Sequence, residues 1–101
     1  MIRHLVMWKL DESYTEFEKH SFIQDFSSRL LALKVKIPQI KSISVHVNSK
    51  LAPETNCDLL LDSSFNSIDD LKTYSNHPEH LAVVEFSKPV KKQRSCIDYE
   101  F

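Results

Sequence analysis

Tyr74 and His80, separated by Ser75-Asn76-His77-Pro78-Glu79, are the residues of this chain best equipped for chemistry. Histidine exchanges a proton near neutral pH and a phenol can hold or polarise an enolate oxygen, so the pair has the parts for deprotonating a carbon between carbonyls. His4, on an otherwise apolar strand face, is a third candidate. Each also has a structural reading. Tyr74 stands where the last apolar anchor of a helix belongs, and His77 and His80 flank a helix break whose orphan backbone groups need partners. His4 equally fits a buried histidine with a satisfied ring. His77 and His80 have the i, i+3 spacing that lets two imidazoles meet one metal ion, but no cysteine or carboxylate stands at a third-ligand spacing. Neither a metal nor an organic cofactor is therefore expected. Lys88, Lys91, Lys92 and Arg94, with Pro89, read as a solvated basic turn or as a receiver for a carboxylate ligand. Asp98 and Glu100 share a strand face, where pairing with Arg94 or Lys9 explains them better than paired-carboxylate catalysis.

The elements that must position these groups follow from hydrophobic spacing. Ile2, His4, Val6, Trp8 and Leu10 alternate with Leu5 and Met7, a strand with apolar side chains on both faces. Ser13-Tyr14-Thr15-Glu16 has the form of a capping box, and Phe17, Ile23, Phe26, Leu30, Leu33 and Ile37 recur at helical spacing until Pro38. Ile43, Val45 and Val47 mark a second strand and Cys57 to Phe65 a third. Ser67 caps a short helix presenting Ile68, Leu71 and Tyr74, and Pro78 starts another through Leu81, Val84 and Phe86. A last strand runs from Arg94 through Ile97, Tyr99 and Phe101.

The order is βαββαβ, an α+β ferredoxin-like pattern. Two right-handed crossovers place both helical layers on one face of a four-stranded sheet. The other face is then bare, although the first strand is apolar on both sides, and an open apolar sheet is a liability in water. A second copy packing sheet against sheet removes it, so a homodimer is expected.

Composition narrows the functions. With 101 residues, 42% hydrophobic and 27% charged, residues 1–101 read as one domain. A net charge of −1 argues against nucleic acid as the partner. There is no glycine, which excludes glycine-rich phosphate loops and dinucleotide fingerprints. The apolar start is interrupted by Lys9, Asp11 and Glu12, no cleavage site follows, and no run is long enough to span a bilayer. A cytoplasmic protein without a membrane partner is the expectation. Cys57 and Cys96, expected two strand spacings apart, are too distant for a bridge and read as reduced, packed thiols.

Four segments in order, Ile2-Arg3-His4-Leu5-Val6-Met7-Trp8-Lys9, Asp58-Leu59-Leu60-Leu61 with Phe65, Asp70 through His80, and Arg94 with Asp98-Tyr99-Glu100, make the chain resemble the stress-responsive α/β-barrel (Dabb) domain family over nearly its whole length. The resemblance implies a dimeric α/β barrel with two sheets facing each other. The family includes plant polyketide cyclases in which a Tyr and a His of the Tyr-x-x-His-Pro-x-His segment do acid–base work, corresponding to Tyr74 and His80. A first-strand histidine, matching His4, lines the same pocket. One departure is Val47, where members commonly carry glycine before the Asn that follows the second strand, implying a different backbone there. Two functions stand side by side: cofactor-free binding or conversion of a small, polyketide-like molecule between sheet and helices, of cyclase or lyase type, or a non-catalytic, stress-associated oligomer.

Overall fold

β1 (Ile2–Leu10) lies at the centre of the molecule, with β3 (Leu59–Phe65) on one side and β4 (Lys91–Glu100) on the other. β2 (Ser42–Val47) completes the order β2-β3-β1-β4, every neighbouring pair antiparallel. The computed structural model describes all residues, Met1–Phe101. Ile2, His4, Val6, Trp8 and Leu10 are all buried and face α1 (Glu16–Lys36), α2 (Ile68–Asn76) and α3 (Pro78–Ser87). The expected ferredoxin-like α+β arrangement is the one found.

Details of helix phase depart from expectation. The buried stripe of α1 is Phe22, Phe26, Leu30 and Leu33, with Ile23 only partly buried, while Phe17 is 80% exposed. At about 100° per residue Phe17 falls on the side of the helix opposite that stripe. The capping box is Thr15 with Glu18, two residues later than Ser13 with Glu16: Glu18 N–H donates to the Thr15 hydroxyl, and Thr15 N–H to the Glu18 carboxylate. In α3 the inward residues are Val83 and Ser87 at i, i+4, supported by Phe86, which leaves Leu81 on the outer side. Ile68, in the first turn of α2, is also largely exposed. β3 starts two residues later than expected, at Leu59, and β4 three residues earlier, at Lys91.

Trp8 belongs to the helix-facing core, meeting Phe26 edge to face at 5.0 Å, and Phe22 stacks between Phe26 and Phe86. Val47 ends β2 in register with Leu59, and no residue of the chain takes a positive φ. The valine therefore needs no special backbone. Both cysteines are free, but Cys96 is exposed rather than packed because β4 is an edge strand.

The second sheet face carries no helix. Arg3, Leu5, Met7 and Lys9 alternate there with their cross-strand partners Leu60, Asp62, Ile97 and Tyr99. Met7 is 43% exposed and Ile97 58%. Across its middle, Arg3 pairs with both oxygens of Asp62, at 3.1 and 3.2 Å, while its guanidinium lies 4.4 Å from the centre of the Phe101 ring. A depression of about 430 Å³ occupies one end of this face, beside Met7, His46 and Leu60.

Candidate active site

The break between α2 and α3 builds the site. His77 closes α2 and opens α3: its backbone N–H donates to the Tyr74 carbonyl, and its Nδ1 accepts from the Glu79 N–H at 3.1 Å. Pro78 follows at the first helical position, where a missing N–H costs nothing. Leu81 N–H returns to the His77 carbonyl, so the turn is closed on both sides. This geometry folds the first turn of α3 back onto the last turn of α2 and sets the His80 ring 4.4 Å from that of Tyr74. His80 Nδ1 lies 2.9 Å from the Ser75 carbonyl, an orphan acceptor at the end of α2. A carbonyl only accepts, so Nδ1 carries the hydrogen and Nε2 of the neutral ring keeps its lone pair. The structural role of His80 is therefore real, and it leaves the second nitrogen unused.

Tyr74 is fully buried, yet its hydroxyl has no hydrogen-bond partner. Burial raises its phenol well above the ordinary value of 10.0; Arg94 acts in the opposite sense and Cys96 in the same one. The group stays an O–H donor at every physiological pH. Replacing Tyr74 by Phe is expected to leave stability within about 1 kcal/mol of the parent or to raise it, because no bond is lost and an unsatisfied polar group is removed. A thermal melt showing a loss of about 2 kcal/mol or more would mean that the hydroxyl is satisfied in solution.

Burial, the largest effect, also holds the His80 ring below its ordinary value of 6.5, opposed by the Ser75 bond and assisted by His4, Arg94 and His77. The unfolded ring then binds a proton at a higher pH than the folded one. Its contribution to stability is complete above the ordinary value and is lost as pH falls through the window below it. Between about pH 7.5 and 5.5 the melting temperature of the parent should fall more than that of His80→Gln. Equal falls would remove His80 from the account.

His4 comes to the same place from the sheet. Its ring is edge to face with Tyr74 at 6.1 Å and with Phe65 at 6.4 Å. Its Nδ1 hydrogen-bonds Asp98, the residue directly opposite it on β4. Asp98 thus serves His4 and not Arg94 or Lys9; Lys9 instead donates to the carbonyls of Glu54 and Asn56. With its carboxylate partner on Nδ1, the neutral His4 ring also keeps a free Nε2. Asp98 is the functional candidate that sequence reading missed. Register was the missing signal, since residues 4 and 98 meet only through the β1–β4 ladder.

Cys96 Sγ lies 3.6 Å from His4 Nδ1 and 3.9 Å from Asp98. These three ligand-type atoms fall within 4.8 Å of one another, a grouping that includes neither His77 nor His80. The Cys96 thiol is pushed up by burial and by Asp98. It is a poor thiolate nucleophile.

A cavity of about 260 Å³ joins these groups. Its apolar walls are Val6, Trp8, Phe26, Leu61, Val83 and Val84; His4, Tyr74 and His80 meet it from sheet and helices. Lys91 and Arg94, expected in or beside a solvated turn, line it from β4. All three sequence candidates are therefore brought together around one cavity.

Fold and cavity define a small ferredoxin-like α+β protein with a pocket between sheet and helices. Residues 2–101 match the model of the stress responsive A/B barrel domain, and the chain belongs to that family, Dabb. A dimeric protein of unknown function with a ferredoxin-like fold from Bacteroides fragilis is 34% identical, with a TM-score of 0.92 over 99% of this chain and 95% of its own. A Dabb family protein from Mesorhizobium loti shares the fold at 23% identity and a TM-score of 0.75, covering 99% and 95%. The hydroxynitrile lyase of Passiflora edulis shares it at 16% identity and a TM-score of 0.78, covering 97% and 90%. None of the curated proteins matches the chain in sequence.

Proposed function

We propose that this protein is a cytosolic homodimer that binds a small carbonyl compound between sheet and helices and moves its protons without an organic cofactor. The observation that carries the reading is the Tyr74 hydroxyl, buried and unpartnered, on a ring that packs 4.4 Å from that of His80, whose Nε2 is unused. Leaving such a group unsatisfied costs about 1–3 kcal/mol, and rules of packing are broken in this way mainly at functional sites. His80 Nε2 takes the proton of a carbon flanked by carbonyls. Tyr74 donates its O–H to the oxygen on which the enolate charge develops, in surroundings where burial strengthens that bond. The enolate carbon then attacks a second carbonyl of the same molecule, or is reprotonated, and the His80 proton returns to the product. His4, oriented by Asp98, is placed to hold a second oxygen.

The lyase of the same fold supports the capacity of this frame for such chemistry. The dimer is supported by the bare apolar sheet face and by the dimeric relative from Bacteroides fragilis. Two free cysteines suit a reducing compartment, and no helix is long and apolar enough to cross a membrane. The test is proton exchange. A neutral β-keto ester that exchanges slowly in D₂O should lose its central C–H signal faster with the protein present, as followed by NMR. An unchanged rate across a panel of such esters would refute the reading.

A further inference from the structure

Every polar group that the cavity offers from its β4 side is a cation. Arg94 stands opposite Trp8 in the β1–β4 ladder and Lys91 opposite Leu10, so both project from the strand on the helix-facing side. Neither takes part in any ion pair. The other basic residues around them are occupied: Lys92 pairs with Glu12, and Lys88 with Glu85. Of the two carboxylates on that face of β4, Asp98 is held by His4 and Glu100 stands farther along the strand, opposite Ile2. Tyr74 offers an O–H and His80 a bare nitrogen on the inner side, whereas the walls between are apolar. The pocket thus sets an O–H donor, an unused ring nitrogen and two cations among apolar walls.

We propose that Arg94, assisted by Lys91, is a specificity residue that receives the carboxylate of an organic acid, so that the ligand is an anionic carbonyl compound with an apolar body. This rests on the reading of the pocket given above and names its substrate class. The guanidinium is always charged and its fork of N–H donors matches a carboxylate, which makes Arg94 the stronger of the two anchors. An uncharged ligand of the same shape would leave both cations unpaired and gain only the apolar contacts.

The test uses matched pairs, benzoate with benzamide and 3-benzoylpropionate with its carboxamide, titrated calorimetrically into the parent, Arg94→Gln and Arg94→Lys. Arg94 is solvent-exposed, so all three proteins should melt alike. The parent should bind each acid at least about tenfold more tightly than its amide, a preference reduced to about twofold in Arg94→Gln and partly kept in Arg94→Lys. Acid and amide bound equally by the parent, or a preference untouched in Arg94→Gln, would overturn the assignment while exchange of the neutral β-keto ester still stood. Binding of none of the four compounds would overturn it as well. Loss of the exchange reaction would instead strike at His80 and Tyr74.

Discussion

His80→Gln should slow protein-catalysed proton exchange by about 10²- to 10⁴-fold, the range that a positioned general base supplies. Glutamine is the informative substitution because its amide can still donate to the Ser75 carbonyl, the bond that ties the α2–α3 junction together. What disappears is the lone pair on Nε2. His80→Ala removes both the base and the tie, so its melting temperature should fall while that of His80→Gln stays near the parent. The comparison separates chemistry from architecture: a glutamine variant with parental exchange rate would leave His80 as a junction residue only. The Tyr74→Phe variant completes the set, because it should retain stability and lose exchange.

Leu5→Glu should convert the dimer to a monomer or prevent folding. Leu5 sits on the helix-free face between Asp62 and Ile97, and a partner sheet packed there would bury the new carboxylate against Asp62, with the neighbouring Arg3 already paired to that aspartate. An unpaired charge so buried costs several kcal/mol, and it is incurred twice in a symmetric interface. Light scattering should report twice the chain mass for the parent and the chain mass for the variant. A charge at Phe17, on the far side of α1, is the control and should change nothing. A parent that scatters as a monomer, or a Leu5→Glu dimer, would exclude sheet-to-sheet packing.

Much of this frame was legible in the residues. The alternation of Ile2 to Leu10 located the central strand and showed it apolar on both sides, which is the physical basis for expecting a partner. It could not say which side faces the helices, because a strand pattern is symmetric until a register is known. The helices packed on Ile2, Val6, Trp8 and Leu10 decide it, and β1–β4 pairing then brings Asp98 to His4 on the covered side. Phe26, Leu30, Leu33 and Ile37 of the α1 stripe are buried as the spacing predicts, but its start was misplaced because Phe17, Phe22 and Ile23 offer alternative beginnings to one periodic pattern, and only the sheet beneath selects between them. His77-Pro78 announced a helix break, and the break occurs there, since proline fixes both its own φ and the extended conformation of the residue before it. That Tyr74 would be left without a partner was beyond reach. An unsatisfied hydroxyl is a property of everything around it.

The chain that makes this fold contains no glycine and never enters the left-handed region. Its turns are all made by residues whose side chains restrict the backbone in the denatured ensemble too. Fewer conformations are therefore surrendered on folding than in a chain of the same length punctuated by glycines, a difference of about 0.4–1 kcal/mol for each such position. Part of the stability of this protein thus resides in the stiffness of its unfolded state and corresponds to no contact in the folded one. Removing side-chain contacts one at a time, however complete the survey, would not find it.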